Sequence, residues 1–189
     1  ENWMQGSAIV VTSPEQTDLT RIIGNFVENT GQGIDIHADR VIVSQNIVQD
    51  TLIGMKAMHG SRNVLITGNQ FSKNSLWSIG LMPGISSHPA KPATADSKES
   101  AANVDGGSII ANNIISDFGL GRTNWIWGGE KAWDNGYPLR FDHGQEADDP
   151  PLSDVLIQGN IVCDSGKAGT VIAGQVKTPA PRYKYAVLI

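Results

Sequence analysis

The chain has 189 residues, 40% of them hydrophobic and only 17% charged, with 21 glycines and a net charge of −5. Such a length makes one domain with room for a substantial core, and such a composition marks an ordered, turn-rich protein rather than a charged helical or disordered one. The acidic balance argues against a nucleic-acid partner, no run approaches the ~20 apolar residues of a membrane span, and the single cysteine, Cys163, excludes an internal disulfide.

Taken from its start, the chain opens on Glu1-Asn2-Trp3-Met4-Gln5-Gly6, and four of these six residues return in Glu28-Asn29-Thr30-Gly31-Gln32-Gly33, 27 positions later. A second repeat is stronger. Short apolar runs surround Asn25, Asn46, Asn69, Asn113 and Asn160, whose separations are 21, 23, 44 and 47 residues. The unit is therefore about 22 residues, with two units enlarged by insertions. Three residues before each Asn stand Ile22, Val43, Ile66, Ile110 and Ile157; two after it stand Val27, Val48, Phe71, Ile115 and Val162. Alternation of period two means a strand with one buried face, and its recurrence means that equivalent strands stack in parallel, ~4.8 Å apart.

The Asn falls where the chain turns between two strands. Its amide is suited to αL geometry and to bonding its counterparts above and below. After each corner comes a polar turn, such as Glu28–Gly31 or Ser116–Gly119, and then another strand, such as Gly33–His37 or Gly54–Met58. Helical periodicity is absent. These features predict an all-β fold, a right-handed parallel β-helix, with its hand taken from the general chirality of parallel crossovers.

Residues 83–104 are rich in Pro, Ala and Ser and read as a long surface loop. The second insertion, 120–136, carries Trp125, Trp127 and Trp133 among Gly and Asn. The opening mid-repeat and the uncapped strand Tyr185–Ile189 lead to the expectation of a segment of a longer chain, or of a homo-oligomer that covers the helix ends.

The stacked repeat, clearest in Ser61–Met82, resembles the right-handed parallel β-helix superfamily of pectate lyases, polysaccharide epimerases and phage tailspikes. The resemblance implies a secreted, cell-surface or virion-associated protein whose partner is an extended polysaccharide lying along one sheet. It is specific for fold and leaves the activity open, because one scaffold hosts many functions.

In the strand that follows the turn, the residues opposite to the buried ones are Asp35 and His37, then Lys56, then Gly80, then Pro138 and Arg140. Asp35, His37, Lys56 and Arg140 are the candidate catalytic residues: lyases and epimerases of uronates need a base for the C5 proton and a cation beside the carboxylate. Asp35-Ile36-His37 is similar to the Asp-Pro-His step of alginate epimerases, with Ile in place of Pro. The competing reading of Asp35 and Lys56 is an ion pair on a solvated sheet, worth at most ~1 kcal/mol. His37 and His59 are equally suited to capping a strand end. The small outward residues Ser78 and Gly80 would make a floor for a sugar chain.

Asp142, Glu146 and Asp148 put oxygen ligands at short spacing, suited to Ca²⁺ or to a solvated acidic turn before Pro150-Pro151. No other cofactor is implied. The three loop tryptophans either stack on sugar rings or hold their loop to the sheet. Arg21, Ile42, Leu65, Ile109 and Leu156 form a mostly apolar outward column, a patch for an inserted loop or a neighbouring chain. Two functions remain: a carbohydrate-active lyase, epimerase or hydrolase, or a non-catalytic, structural or sugar-binding shaft.

Overall fold

The computed structural model describes residues 6–13, 16–58, 61–84, 91–99, 106–118, 137–141, 149 and 151–163, with the backbone of 171–172, 175–176 and 187–188. The described residues form strands and turns, with no helix among them. The chain runs through β1 (Ser7–Val11), β2 (Arg21–Ile23), β3 (Phe26–Glu28), β4 (Gln32–Ile36), β5 (Ile42–Ser44) and β6 (Ile47–Gln49). It continues through β7 (Ile53–Met58), β8 (Leu65–Thr67), β9 (Gln70–Ser72), β10 (Trp77–Met82), β11 (Ile109–Ala111) and β12 (Ile114–Ser116). The last strands are β13 (Tyr137–Phe141), β14 (Leu156–Gln158), β15 (Ile161–Cys163), β16 (Val171–Ile172), β17 (Gln175–Val176) and β18 (Val187–Leu188).

Three sheets collect these strands. A 6-stranded sheet has the order β1-β4-β7-β10-β13-β18, and two 5-stranded sheets have the orders β14-β11-β8-β5-β2 and β15-β12-β9-β6-β3. All their pairings are parallel, whereas the short β16–β17 pair is antiparallel. From β1 to β15 the chain visits the three sheets in fixed rotation, the topology of a parallel β-solenoid.

The register puts like residue on like residue. Ile22 pairs with Val43, Val43 with Ile66, and Ile66 with Ile110. These side chains, with Val27, Val48, Phe71 and Ile115 from the second sheet and Ile34, Met55, Ile79 and Leu139 from the longest, make one continuous buried core. The repeated apolar positions therefore lie inside, as their alternation requires. Ile157 is the exception in its column, 38% exposed on β14.

The asparagines form a ladder. Asn46 donates its backbone N–H and its Nδ2 to Asn69 Oδ1, at 3.0 and 2.9 Å. Asn69 repeats this toward Asn113, and Asn113 toward Asn160. The αL turn, however, falls on the preceding residue: Gly24, Gln45, Gly68, Asn112 and Gly159 carry the positive φ, and the ladder asparagines do not. Geometry divides the work. One residue reverses the chain at low steric cost, and the next supplies the amide.

A second corner, unmarked in the sequence reading, uses carboxylates in the same way. Asp18 Oδ1 accepts the backbone N–H of Asp39, and Asp39 Oδ1 accepts that of Arg62, both at 2.9 Å. Arg40 and Arg62 reach back to neutralise Asp18 and Asp39 respectively. The outward column Arg21, Ile42, Leu65, Ile109, Leu156 is in register, and its three middle members are half-buried. A more exposed stripe lies beside it on the next sheet: Phe26, Ile47, Gln70, Ile114 and Ile161.

Candidate functional site

The longest sheet aligns Val10, Asp35, Lys56, Gly80 and Arg140 across five strands. Each lies between core residues, as Asp35 does between Ile34 and Ile36, so the alternation turns this column away from the core. Adjacent strands bring Asp35 and Lys56 together, with Lys56 Nζ 3.4 Å from Asp35 Oδ2. On the other side of the carboxylate, His37 Nε2 stands 2.9 Å from Oδ1. The contact is close but off line: no hydrogen bond of ordinary angle reaches Oδ1. Arg140 is not part of this cluster. It lies two strands beyond Lys56, across Gly80, roughly 10 Å away at the usual strand spacing.

Outward does not mean solvated here. Asp35 and Lys56 are only 7% and 6% exposed, while His37 is half-buried. The ion pair therefore does not lie on a wet sheet surface, and the weak coupling of exposed pairs does not apply to it. Burial works to raise the Asp35 pKa; contact with His37 and the positive charge of Lys56 outweigh it and hold the carboxyl below its ordinary 3.8.

The floor expected at Ser78 and Gly80 is absent, and packing explains why. A Cβ built on Gly54 would run into the Phe71 ring at 2.9 Å, and one on Gly33 would strike Val48, so both glycines face the core. The next residue of each strand, Ile34 or Met55, also faces the core. With two successive inward residues, the strands lose strict alternation at this point, and the ladder passes over Gly33 and Gly54 without pairing them. Ser78 follows these glycines and is fully buried, and Pro138, level with it on β13 and also expected outside, is buried too. The residue before the break is turned outward: the Trp77 indole lies over Gly80, where a Cβ would meet Nε1 at 2.6 Å. Arg140 in turn stacks on the indole, its Cζ 4.9 Å from the ring centroid.

Trp77 also packs with Leu52, Ile53 and Leu76 in a small cluster separate from the main core. Its column, Gln32–Ile53–Trp77–Tyr137, runs beside the charged one. Neither the Gln32 amide nor Trp77 Nε1 has a hydrogen-bond partner, although both are buried. Sequence reading missed Trp77 and Gln32. The glycines at positions 33, 54 and 80 were the available signal, since a Gly within a strand marks a close approach.

Trp125, Trp127 and Trp133, the proposed sugar contacts, lie outside the described residues, as do His59, the ligand set Asp142, Glu146 and Asp148, insertion 120–136 and half of 83–104. Among the described residues no group of three or more His, Cys, Asp or Glu is placed to hold a metal ion.

The longest sheet thus presents, in order, a carboxylate with an imidazole beside it, an ammonium, an indole and a guanidinium. An imidazole oriented by a carboxylate can exchange a proton, and two cations on one face can hold an anionic group. No family model matches the chain, and no curated protein matches it.

Proposed function

We propose that the protein is a carbohydrate-active β-helix that takes an acidic polysaccharide along its longest sheet. In this reading the three sheets are the faces of a right-handed coil of about 22 residues per turn, the hand being that of parallel crossovers in general. The observation that carries the proposal is the Asp35–His37–Lys56 cluster, with Arg140 two strands beyond it on the same sheet face. Buried charge of this density is costly unless it is used or fully paired, and a carboxyl perturbed by close cationic and imidazole neighbours, as Asp35 is, is a mark of working sites.

The chemistry that suits the cluster is proton abstraction next to a carboxylate. His37, the most accessible of the three, takes the C5 proton of a uronate, with Asp35 steadying the imidazolium that forms. The C5–H electron pair becomes the C4–C5 double bond, the C4–O bond breaks, and the departing glycosidic oxygen takes a proton from the Lys56 ammonium. In an epimerase the C4–O bond stays intact: the electron pair left at C5 is held as a carboxylate-stabilised carbanion, and water protonates it from the opposite face. The protein would act outside the cell or on a virion, where such polymers occur.

A second reading rests on a specific observation. Asp35 and Lys56 are nearly inaccessible, which suits an ion pair bracing the sheet of a non-catalytic shaft. Incubating the full chain with polygalacturonate and with alginate separates the two. The ultraviolet absorbance of an unsaturated product, or a changed C5 configuration by NMR, is expected, and His37→Ala should abolish it. If neither appears, with or without added calcium, the catalytic reading fails and the shaft remains.

A further inference from the structure

Gly80 is the only position of its column, between Asp35 and Arg140, that lacks a side chain, and the space is filled from elsewhere in the same strand. The Trp77 indole lies across it: a Cβ on Gly80 would stand 2.6 Å from Nε1, 3.1 Å from Cδ1 and 3.2 Å from Cε2. The strand conformation at Gly80 does not itself call for glycine, since Gly80 is not among the positive-φ glycines. The requirement is for room. The indole is held by Leu52, Ile53 and Leu76, and no hydrogen bond fixes its Nε1. The other group it meets is the Arg140 guanidinium, on its face.

We propose that Trp77 is a positioning residue that holds Arg140 against β10, with Gly80 as the gap that admits the indole, so that the face selects sugars carrying an anionic oxygen group. This rests on the carbohydrate reading above and adds the residues that set its preference. Stacking on an aromatic face restrains a guanidinium without using its N–H donors, which lie in its plane. A restrained Arg loses less freedom on binding than a mobile one, and that difference is realised only by a ligand that uses it. A guanidinium carries donors alone, which matches a carboxylate or a sulfate and gives a neutral hydroxyl little advantage.

The experiment compares the full chain with its Gly80→Ala, Trp77→Leu and Trp77→Phe variants. Calorimetry measures binding of an oligogalacturonate, a sulfated galactan oligomer and a neutral galactan oligomer of equal length. Circular dichroism and melting show that each variant is folded. The expected result is anionic binding weakened about tenfold in Gly80→Ala and Trp77→Leu and retained within about twofold in Trp77→Phe, which keeps a ring face. Neutral binding stays unchanged, and the two anionic ligands identify which group is read. Gly80→Ala removes no functional group, so it tests position alone. Equal affinity of all folded variants for the anionic ligands, or an equal loss for neutral and anionic ones, overturns the inference while leaving the carbohydrate reading intact. If the unsubstituted chain binds none of the three oligomers, the carbohydrate reading falls and this inference with it.

Discussion

At the scale of the residue, Asn69 shows how one side chain holds two turns of the chain together. Its Oδ1 takes two donors from Asn46, and its Nδ2 donates to Val43 O at 2.9 Å and to Asn113 Oδ1 at 3.0 Å. Asn69→Ala leaves the buried Asn46 N–H and amide without their acceptor, and an unmade buried bond costs more than a made one contributes. The variant is expected to lose about 2–4 kcal/mol in urea denaturation, summed over two stranded donors. Asp35 makes a pH-dependent contribution of predictable sign. Its folded pKa lies below the unfolded 3.8, so its share of stability is full above that value and disappears as pH falls through the lower folded value. Asp35→Asn should flatten the acid limb of a plot of melting temperature against pH. An unchanged limb would mean that the carboxylate titrates alike in both states.

At the scale of the element, β4, β7 and β10 are built around positions that exclude a side chain. Gly54 and Gly68 separate two reasons for glycine. A Cβ on Gly54 would push against the Ser78 carbonyl and the Phe71 ring, whereas Gly68 has open space around it and a φ of +66°. Gly68→Ala is therefore expected to cost about 1 kcal/mol of backbone strain. Gly54→Ala should cost about 3 kcal/mol or more, because backbone or a core ring must move. Chemical denaturation of both variants checks the order; equal costs would show that the sheet yields at Gly54. The same glycines explain why part of the site was hidden in the sequence. Strict alternation counted back from Ile79 places Trp77 in the core. The break beside Gly33 and Gly54 turns Trp77 out over Gly80 instead, and no local propensity announces it.

At the scale of the whole molecule, stability is unevenly spread along the stack. The middle strands of the two shorter sheets bury their inward residues completely, as Val43, Ile66 and Ile110 show. At the β14 end the inward Ile157 is 38% exposed. Amide exchange should accordingly be slowest in β5, β8 and β11 and faster in β14 and β15, because a strand opens most readily where it buries the least apolar surface. Uniform protection across all five strands would indicate a single cooperative unit instead.

Sequence alone determined the repeat and its consequences: parallel stacking, the inward columns, the Asn ladder and the alignment of Asp35, Lys56, Gly80 and Arg140. A solenoid pairs each strand with its own counterpart, so register is a matter of counting, and the asparagines supply the count. Tertiary structure decided what counting cannot reach. Parity says which face a residue leaves from, but not what covers it; only packing buries Asp35 and Lys56 to 7% and 6% exposure. Likewise, only three-dimensional space turns the expected bare floor at Gly80 into a seat for Trp77 with Arg140 stacked upon it. A repeat is one-dimensional and can be read along the chain, whereas a site depends on volumes contributed by residues that the repeat does not specify.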